Sequence, residues 1–211
     1  MMKKMILVSL LIGFAGSLMA SEEAAKVERW NDDSWDEALE QMPKGSVERG
    51  EKLASYGYCY TCHGDEGIAR TNNAPSLAGL APQWTYKALL DYKSGLFHLD
   101  WKSNGMIGIT QPMSKQDMSD LAVYYAQKKR PKGPDHVKKP KKIKKCQKCH
   151  DSGDEDDGPS LMGQSSMYIE RQLLAYKHKI RRTEVDKEMK KVSKKLKKKQ
   201  IKKIAEYYYA Q

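Results

Sequence analysis

The sequence predicts an all-α protein built from two tandem copies of one small helical domain. Four blocks recur in the same order: CYTCH at 59–63 as CQKCH at 146–150, PSLAGL at 75–80 as PSLMGQ at 159–164, LLDYK at 89–93 as LLAYK at 173–177, and LAVYYAQ at 121–127 as IAEYYYAQ at 204–211. An ordered internal repeat of this kind indicates a duplicated domain. No segment alternates apolar and polar residues as a strand would.

The first copy reads as three helices joined by turns. An amphipathic helix is predicted over 47–58, with Cys59 near its end, and a second helix over 83–93. Ser114 is the predicted N-cap of a last helix that ends near Lys128, and Asp117 stands at its capping-box position. In the second copy, a Pro- and Lys-rich stretch over 130–145 precedes the motif and offers little apolar content for a lead-in helix.

The chain divides into five segments along its length. The first 20 residues read as a signal peptide with a basic start at Lys3 and Lys4, an apolar stretch and a cleavage site near Ala20. A membrane anchor is the alternative, but the apolar stretch is shorter than the ~20 residues of a span. The mature protein is therefore expected to be soluble and exported to the periplasm. The predicted segments are signal peptide 1–20, acidic arm 21–45, first domain 46–130, Lys/Pro-rich linker 131–142 and second domain 143–211.

The four cysteines form two Cys-x-x-Cys-His motifs, one in each copy: Cys59, Cys62 and His63, then Cys146, Cys149 and His150. This motif attaches haem c, because two thiols one helical turn apart form thioethers with the vinyl groups while the histidine reaches the iron. Two disulfides, a zinc site and a redox-active dithiol are the alternatives. Zinc requires the two pairs to meet although each lies in its own copy, and a dithiol has no use for the histidines. Two covalently bound haem c groups are therefore predicted.

The repeat also predicts the second ligand of each iron. Aligning Leu121 with Ile204 places Met106 on Met189, whereas Met113 falls on Leu196. We therefore expect His63 and Met106 on the first iron, and His150 and Met189 on the second, with the other methionines filling the core. The remaining histidines, His98, His136 and His178, have no histidine at the matched position, which disfavours a bis-His site, although His98 lies near Met106 in the sequence.

These motifs resemble a known family of electron carriers. CYTCHG, PSLAGL and NGM followed by SKQDMSDLAVYYA in the first copy, with CQKCH, GPSLMG, LLAYK and IAEYYYAQ in the second, are similar to two-domain class I c-type cytochromes, above all the dihaem cytochrome c4 family. The resemblance covers 46–211. It implies that the first and last helices of a domain cross, Gly50 and Leu53 meeting Leu121 and Tyr124. It also implies that the carbonyls of Pro75 and Pro159 orient the ligand histidines.

The expected function is the transfer of single electrons between respiratory-chain partners. Histidine and methionine together fill the coordination of the iron and leave no open position for a substrate. The resemblance implies delivery to a terminal oxidase. A dihaem oxidoreductase, such as a thiosulfate dehydrogenase or a peroxidase, and a fixed haem subunit of a membrane complex are the alternatives. No small-molecule substrate is expected.

The formal charge of +11 is concentrated in the second half of the chain. Residues 21–131 hold 13 basic against 16 acidic side chains, and residues 132–211 hold 23 against 11. The lysines over 187–203 are either a solvated helix face or a docking surface for an acidic redox protein or an anionic membrane. Nucleic acid is not an expected partner of an exported haem protein.

Overall fold

A computed structural model describes residues 29–69, 74–97, 101–131, 133, 137–151 and 157–211, without the side chains of 101–104. The predicted signal peptide, the start of the acidic arm, His98 and His136 lie outside these residues. Within them the chain is helical, with no strand, which confirms the predicted all-α class. No described helix is both long and apolar enough to cross a membrane.

Six helices form the first half of the described chain, and one of them lies in the arm. Ser114 caps the last of these with its hydroxyl, and Asp117 completes the predicted capping box. The predicted 47–58 helix ends earlier, because Gly57 and Tyr58 turn the chain and Tyr58 has a φ of 52°. The helices are α1 Asp32–Glu40, α2 Val47–Tyr56, α3 Tyr60–His63, α4 Pro82–Lys93, α5 Trp101–Thr110 and α6 Lys115–Ala126.

The crossing of α2 and α6 forms the core of the first domain. A Cβ atom added to Gly50 would stand 2.1 Å from the carbonyl oxygen of Asp120 and 2.6 Å from Cβ of Tyr124, so the two helices touch through their backbones. The buried Asp120 carboxylate accepts a hydrogen bond of 2.7 Å from the backbone N–H of Ser46, just before α2. The crossing implied by the resemblance is therefore present at Gly50. The core cluster consists of Ala54, Tyr86, Leu89, Met118, Leu121, Ala122 and Tyr125.

The second domain repeats this plan with fewer residues before its motif. Its helices are α7 Lys144–His150, α8 Ser166–Lys177, α9 Glu188–Lys194 and α10 Lys198–Tyr209. The described residues of 131–143 form no helix, and Ile143 alone anchors this stretch in the core, at 1% exposure. Helix α8 packs against both α9 and α10. The core cluster consists of Ile143, Ile169, Leu173, Leu196, Ile201, Ile204, Ala205, Tyr207 and Tyr208.

The loop between motif and central helix is held in the same way in both domains. The N–H of Gly79 donates to the Tyr125 carbonyl at 3.0 Å, and the N–H of Gly163 donates to the Tyr208 carbonyl at 2.9 Å. Both glycines have a positive φ, 66° and 67°, which glycine adopts without a Cβ clash. Each loop is therefore fastened to the last helix of its own domain, close to the motif histidine.

The arm packs on the body of the protein. Trp35 is 6% exposed and its ring stacks on that of Trp84 in α4, with centroids 5.7 Å apart. Trp30 donates from its indole N–H to Asp91 of α4, and its carbonyl accepts from the N–H of Asp186 in the second domain. The described part of the arm therefore contacts both domains.

Candidate haem sites

The first motif is a short helical turn that presents its histidine to the interior. The N–H groups of Cys62 and His63 both donate to the Cys59 carbonyl, which fixes the turn. His63 is 7% exposed, and its Nδ1 lies 2.9 Å from the Pro75 carbonyl oxygen. Cys59 is half-buried and Cys62 is exposed, and neither forms a disulfide.

The second motif has the same geometry. Nδ1 of His150 lies 2.7 Å from the Pro159 carbonyl oxygen, and both Cys146 and Cys149 are half-buried free thiols. Gly158 lies against the imidazole: a Cβ added there would stand 3.2 Å from Nδ1 of His150. The histidine contacts that the resemblance implies for Pro75 and Pro159 are therefore both present.

The hydrogen bonds of His63 and His150 to the proline carbonyls determine the tautomer and the orientation of each imidazole ring. Burial lowers the pKa of His63 and of His150, which favours the neutral imidazole. A neutral ring that donates from Nδ1 to a carbonyl keeps its lone pair on Nε2, which is the state that binds a metal. The carbonyl also fixes the orientation of the ring.

The first cysteine of each motif has a raised thiol pKa, as a buried cysteine does. Burial raises the pKa of Cys59 and raises that of Cys146 to about 11. Redox-active Cys-x-x-Cys pairs commonly have a lowered thiol pKa, whereas burial shifts these two thiols in the opposite direction. In the described part of the chain, no three His, Cys, Asp or Glu side chains converge as metal ligands would.

Met106 lies on a helix that sequence reasoning did not predict, and Met189 lies on a short separate helix within the 187–203 stretch. Met106 is in α5, half-buried against the first core together with Cys59, and Met189 is in α9, half-buried against the second core together with Cys146. The structure thus brings each of these methionines to the apolar cluster of its own motif. Their role as iron ligands remains a prediction.

The other candidates differ between the copies. Met113 also packs against the first core, but its counterpart Leu196 is a buried core residue, at 6% exposure. His178 is exposed, and the two remaining histidines are outside the described residues. The structure therefore gives no support to a bis-His site at the second motif.

The chemistry of the residues at the motifs fits haem c. Tyr86 is fully buried among the first-core residues, yet its hydroxyl forms no hydrogen bond to any described group. A buried hydroxyl without a partner costs free energy, so a site that is completed by a polar group of a bound cofactor explains it. Four thiols in two motifs are the attachment points that two haem c groups require.

Two small helical domains, each with a Cys-x-x-Cys-His turn, a proline-oriented histidine and a methionine on a nearby helix, define a dihaem c-type cytochrome. The sequence model of the cytochrome c family matches residues 47–128 and again 137–208, so the chain belongs to the cytochrome c family. The protein accordingly carries two covalently bound haem c groups, one in each domain.

Individual relatives refine this classification. The chain is 34% identical to cytochrome c4 of Thiocapsa roseopersicina over 90 residues, and 32% identical to cytochrome c4 of Stutzerimonas stutzeri over 90 residues. These alignments cover 43% and 40% of this chain, and only 43% and 42% of the curated relatives' own length. The chain is thus similar to cytochrome c4 over less than half of the length of these relatives.

Solved structures extend the likeness to both domains. The reduced recombinant cytochrome c4 from Pseudomonas stutzeri superposes with a TM-score of 0.68 and 26% identity, covering 79% of this chain and 98% of that one. A thiosulfate dehydrogenase from Marichromatium purpuratum superposes with a TM-score of 0.64 over 78% of this chain and 40% of that one. Its identity is 21%, so it shares the fold alone.

The surfaces around the two motifs differ in chemistry. Three exposed tyrosines lie just before and within the first motif: Tyr56, Tyr58 and Tyr60. Five exposed lysines, here called the collar, lie directly before and within the second motif: Lys141, Lys142, Lys144, Lys145 and Lys148. Sequence reasoning looked for a docking surface only over 187–203, although the run KKPKKIKK directly before the second motif already indicated the collar.

Proposed function

We propose that this protein is a periplasmic dihaem cytochrome that carries single electrons between respiratory-chain proteins, with a terminal oxidase as the acceptor. One observation carries the proposal: in both domains a proline carbonyl orients the motif histidine, and a methionine packs on the same apolar cluster as the first cysteine of the motif. A haem iron with histidine and methionine ligands exchanges one electron and keeps no open position for a substrate.

The residues of the chain would supply the conditions for this exchange. Pro75 and Pro159 hold the imidazoles in one orientation, so little rearrangement accompanies the change in charge. The clusters around Leu89 and Leu173 exclude water, and an apolar surrounding tunes the reduction potential. Two sites in one chain would allow a relay or the storage of two electrons.

A carrier fits this chain better than an oxidoreductase. A dihaem enzyme needs one iron with an open or labile position, often with a cysteine, histidine or lysine as ligand. All four cysteines belong to the two motifs, and both copies hold a methionine at the matched position. Export to the periplasm rests on residues 1–20, which read as a signal peptide.

Lysines at the end of the linker and in the second domain form the docking surface that we propose for an acidic redox partner. They comprise the collar and an exposed face at the end of α9 and the start of α10: Lys194, Lys195, Lys197, Lys198 and Lys199. Exposed charges steer association over long distances and are screened by salt, so electron transfer should slow as the ionic strength rises.

Charge reversal tests this surface. We expect Lys144→Glu, Lys145→Glu and Lys148→Glu together to slow reduction or oxidation by an acidic partner protein at low salt, and to leave the rate unaffected at high salt. The matched control reverses three exposed lysines of the first half, Lys44, Lys52 and Lys115. Equal rates for the collar variant and the wild type at low salt would rule out docking at the collar.

The ligation itself is tested by near-infrared absorption of the fully oxidised, haem-loaded protein. The band that arises from methionine bound to ferric iron is measured per chain against a haem assay. Two haems with two such bands support the carrier. A haem without the band would have a different or labile ligand, and sulfur compounds and peroxide would then be tested as substrates.

A further inference from the structure

The loops that orient the two histidines meet at the boundary between the domains. Arg130 is placed between them: its Nε donates to the Ala78 carbonyl at 2.6 Å, and its Nη1 donates to the Met162 carbonyl at 2.7 Å. Ala78 and Met162 occupy matched positions of the repeat, in PSLAGL and PSLMGQ. One guanidinium therefore joins equivalent points of the two loops.

Gln164 makes the second connection, and it departs from the repeat. The matched position of the first copy holds Leu80. Gln164 is 3% exposed, its Oε1 accepts from the backbone N–H of Ser76 at 2.9 Å, and its Nε2 donates to the Ser76 carbonyl at 2.9 Å. Its Oε1 also accepts from the N–H of Ser165 at 3.0 Å, which fixes the orientation of the amide.

The N–H of Ser76 belongs to the same peptide unit as the carbonyl of Pro75. That carbonyl accepts from Nδ1 of His63, so a single peptide group receives a hydrogen bond from the histidine and donates one to Gln164. Hydrogen bonds in such a chain polarise one another, and an N–H that donates makes its carbonyl a stronger acceptor.

We propose that Gln164 of the second domain is a positioning residue for the first haem site: through the Pro75–Ser76 peptide it strengthens the hydrogen bond of His63 and lowers the reduction potential of the first iron. The inference rests on the proposed function, because it assumes iron bound to His63. A stronger acceptor gives the imidazole more negative character, which favours the ferric state. The potential of one domain thus depends on a side chain of the other.

The main test is Gln164→Met, which keeps the length of the side chain and removes both hydrogen bonds to Ser76. We expect the potential of the first haem to rise, so that the electron equilibrium between the two haems shifts roughly threefold to tenfold toward the first. At 59 mV for each tenfold change of a one-electron couple, this is about 30 to 60 mV. The readout is a potentiometric titration that resolves the two haems.

A second variant distinguishes an effect on the reduction potential from a merely structural role of Gln164 at the boundary between the domains. Gln164→Glu retains an acceptor for the Ser76 N–H and makes it stronger, so the potential of the first haem should stay at or fall below the wild-type value. A merely structural role predicts the reverse order, because a buried carboxylate disturbs the boundary more than methionine does. A rise of the first potential in both variants would overturn the proposal.

Two controls complete the design. Gln172→Met removes another buried glutamine of the second domain, whose Oε1 accepts from Nη1 of Arg181 at 2.7 Å, and should leave the two potentials unchanged. Arg130→Lys weakens the link between the loops without touching the Ser76 peptide, so it should lower the urea midpoint and leave the spacing of the potentials unchanged.

Failure of the inference differs visibly from failure of the proposed function. If the wild type shows two methionine bands and Gln164→Met leaves both potentials unchanged, only the tuning role is wrong. If the wild type lacks a band, the ligation is wrong. An independent readout is the exchange rate of the Ser76 amide hydrogen in the reduced protein, which should rise in Gln164→Met and stay slow in Gln172→Met.

Discussion

The close contact between α2 and α6 predicts how the stability of the protein changes when a single methyl group is added at Gly50. Alanine at position 50 would place Cβ 2.1 Å from the Asp120 carbonyl oxygen and 2.6 Å from Cβ of Tyr124, where ordinary contacts are near 3.5 Å. Both obstacles are backbone or directly attached to it, so no side-chain rotation relieves the clash and the helices must separate.

The magnitude follows from two opposing effects. Overpacking of a core costs about 1 to 3 kcal/mol, and a clash with the backbone belongs at the upper end. Alanine is favoured over glycine within a helix by about 1 kcal/mol. We therefore expect Gly50→Ala to lower the free energy of unfolding by about 2 kcal/mol.

Urea unfolding of the haem-loaded protein, followed by far-UV circular dichroism, measures this change. The matched control is Gly108→Ala in α5, where an added Cβ meets no atom within 4 Å and the glycine is exposed. This variant should be unchanged or up to about 1 kcal/mol more stable. A Gly50→Ala protein as stable as the wild type would refute the close crossing of α2 and α6.

Three further predictions concern the haem sites and the helix caps. Met189→Ala should abolish the near-infrared band of one haem while Met113→Leu retains both bands; loss of a band in Met113→Leu would instead make Met113 the ligand of the first iron. Lys177 donates to the Lys194 carbonyl at the end of α9, the helix that carries Met189. Lys177→Met removes this hydrogen bond, so the pH at which the Met189 band disappears should fall by roughly half a unit to one unit. An unchanged pH would show that this hydrogen bond does not hold Met189. The Ser114 cap lowers the pKa of Asp117, so its stabilisation is present above the unfolded pKa near 4 and is lost as the pH falls through the lower folded value. Asp117→Asn should therefore cost about 1 kcal/mol at pH 7 and much less at pH 3 in urea unfolding; an equal cost at both values would contradict this account.

The predictable parts of the fold are those whose causes are local. The start of α6 follows from Ser114 and Asp117, whose side chains satisfy the free N–H groups of the first turn wherever the helix is placed. The repeat added a second kind of information, because it placed Met106 and Met189 at one structural position without any knowledge of the helices that carry them.

Helix α5, and α9 as a separate helix, were missed for physical reasons. Helix α5 has the sequence WKSNGMIGIT, with two glycines and no clear polar face, and α9 has seven residues, among them three lysines. The glycines and β-branched residues of α5 lower its helix propensity. Helix α9 has favourable residues but is too short to be predicted as an isolated helix. Contacts with α4 and α8 bring them into the fold, and such contacts are not visible in a local pattern.

The connections between domains were also beyond sequence reasoning. Gln164 appears in the repeat only as a departure from Leu80, and the arm appears only as an acidic segment. Their partners, Ser76 and Trp84, are far away in the sequence and nothing local marks them. Two tryptophans in a largely charged arm, Trp30 and Trp35, were the clearest signal that this segment is packed.

The packed arm has a consequence for the order in which this protein is completed. Trp30 binds Asp91 of the first domain and also accepts from the backbone of Asp186, near the end of the chain. The contact between Trp30 and Asp186 can therefore form only when the last third of the polypeptide is present. Trp35 and the indole of Trp30 can pack on the first domain alone, whereas the contact with Asp186 also requires the second domain to be folded beside it.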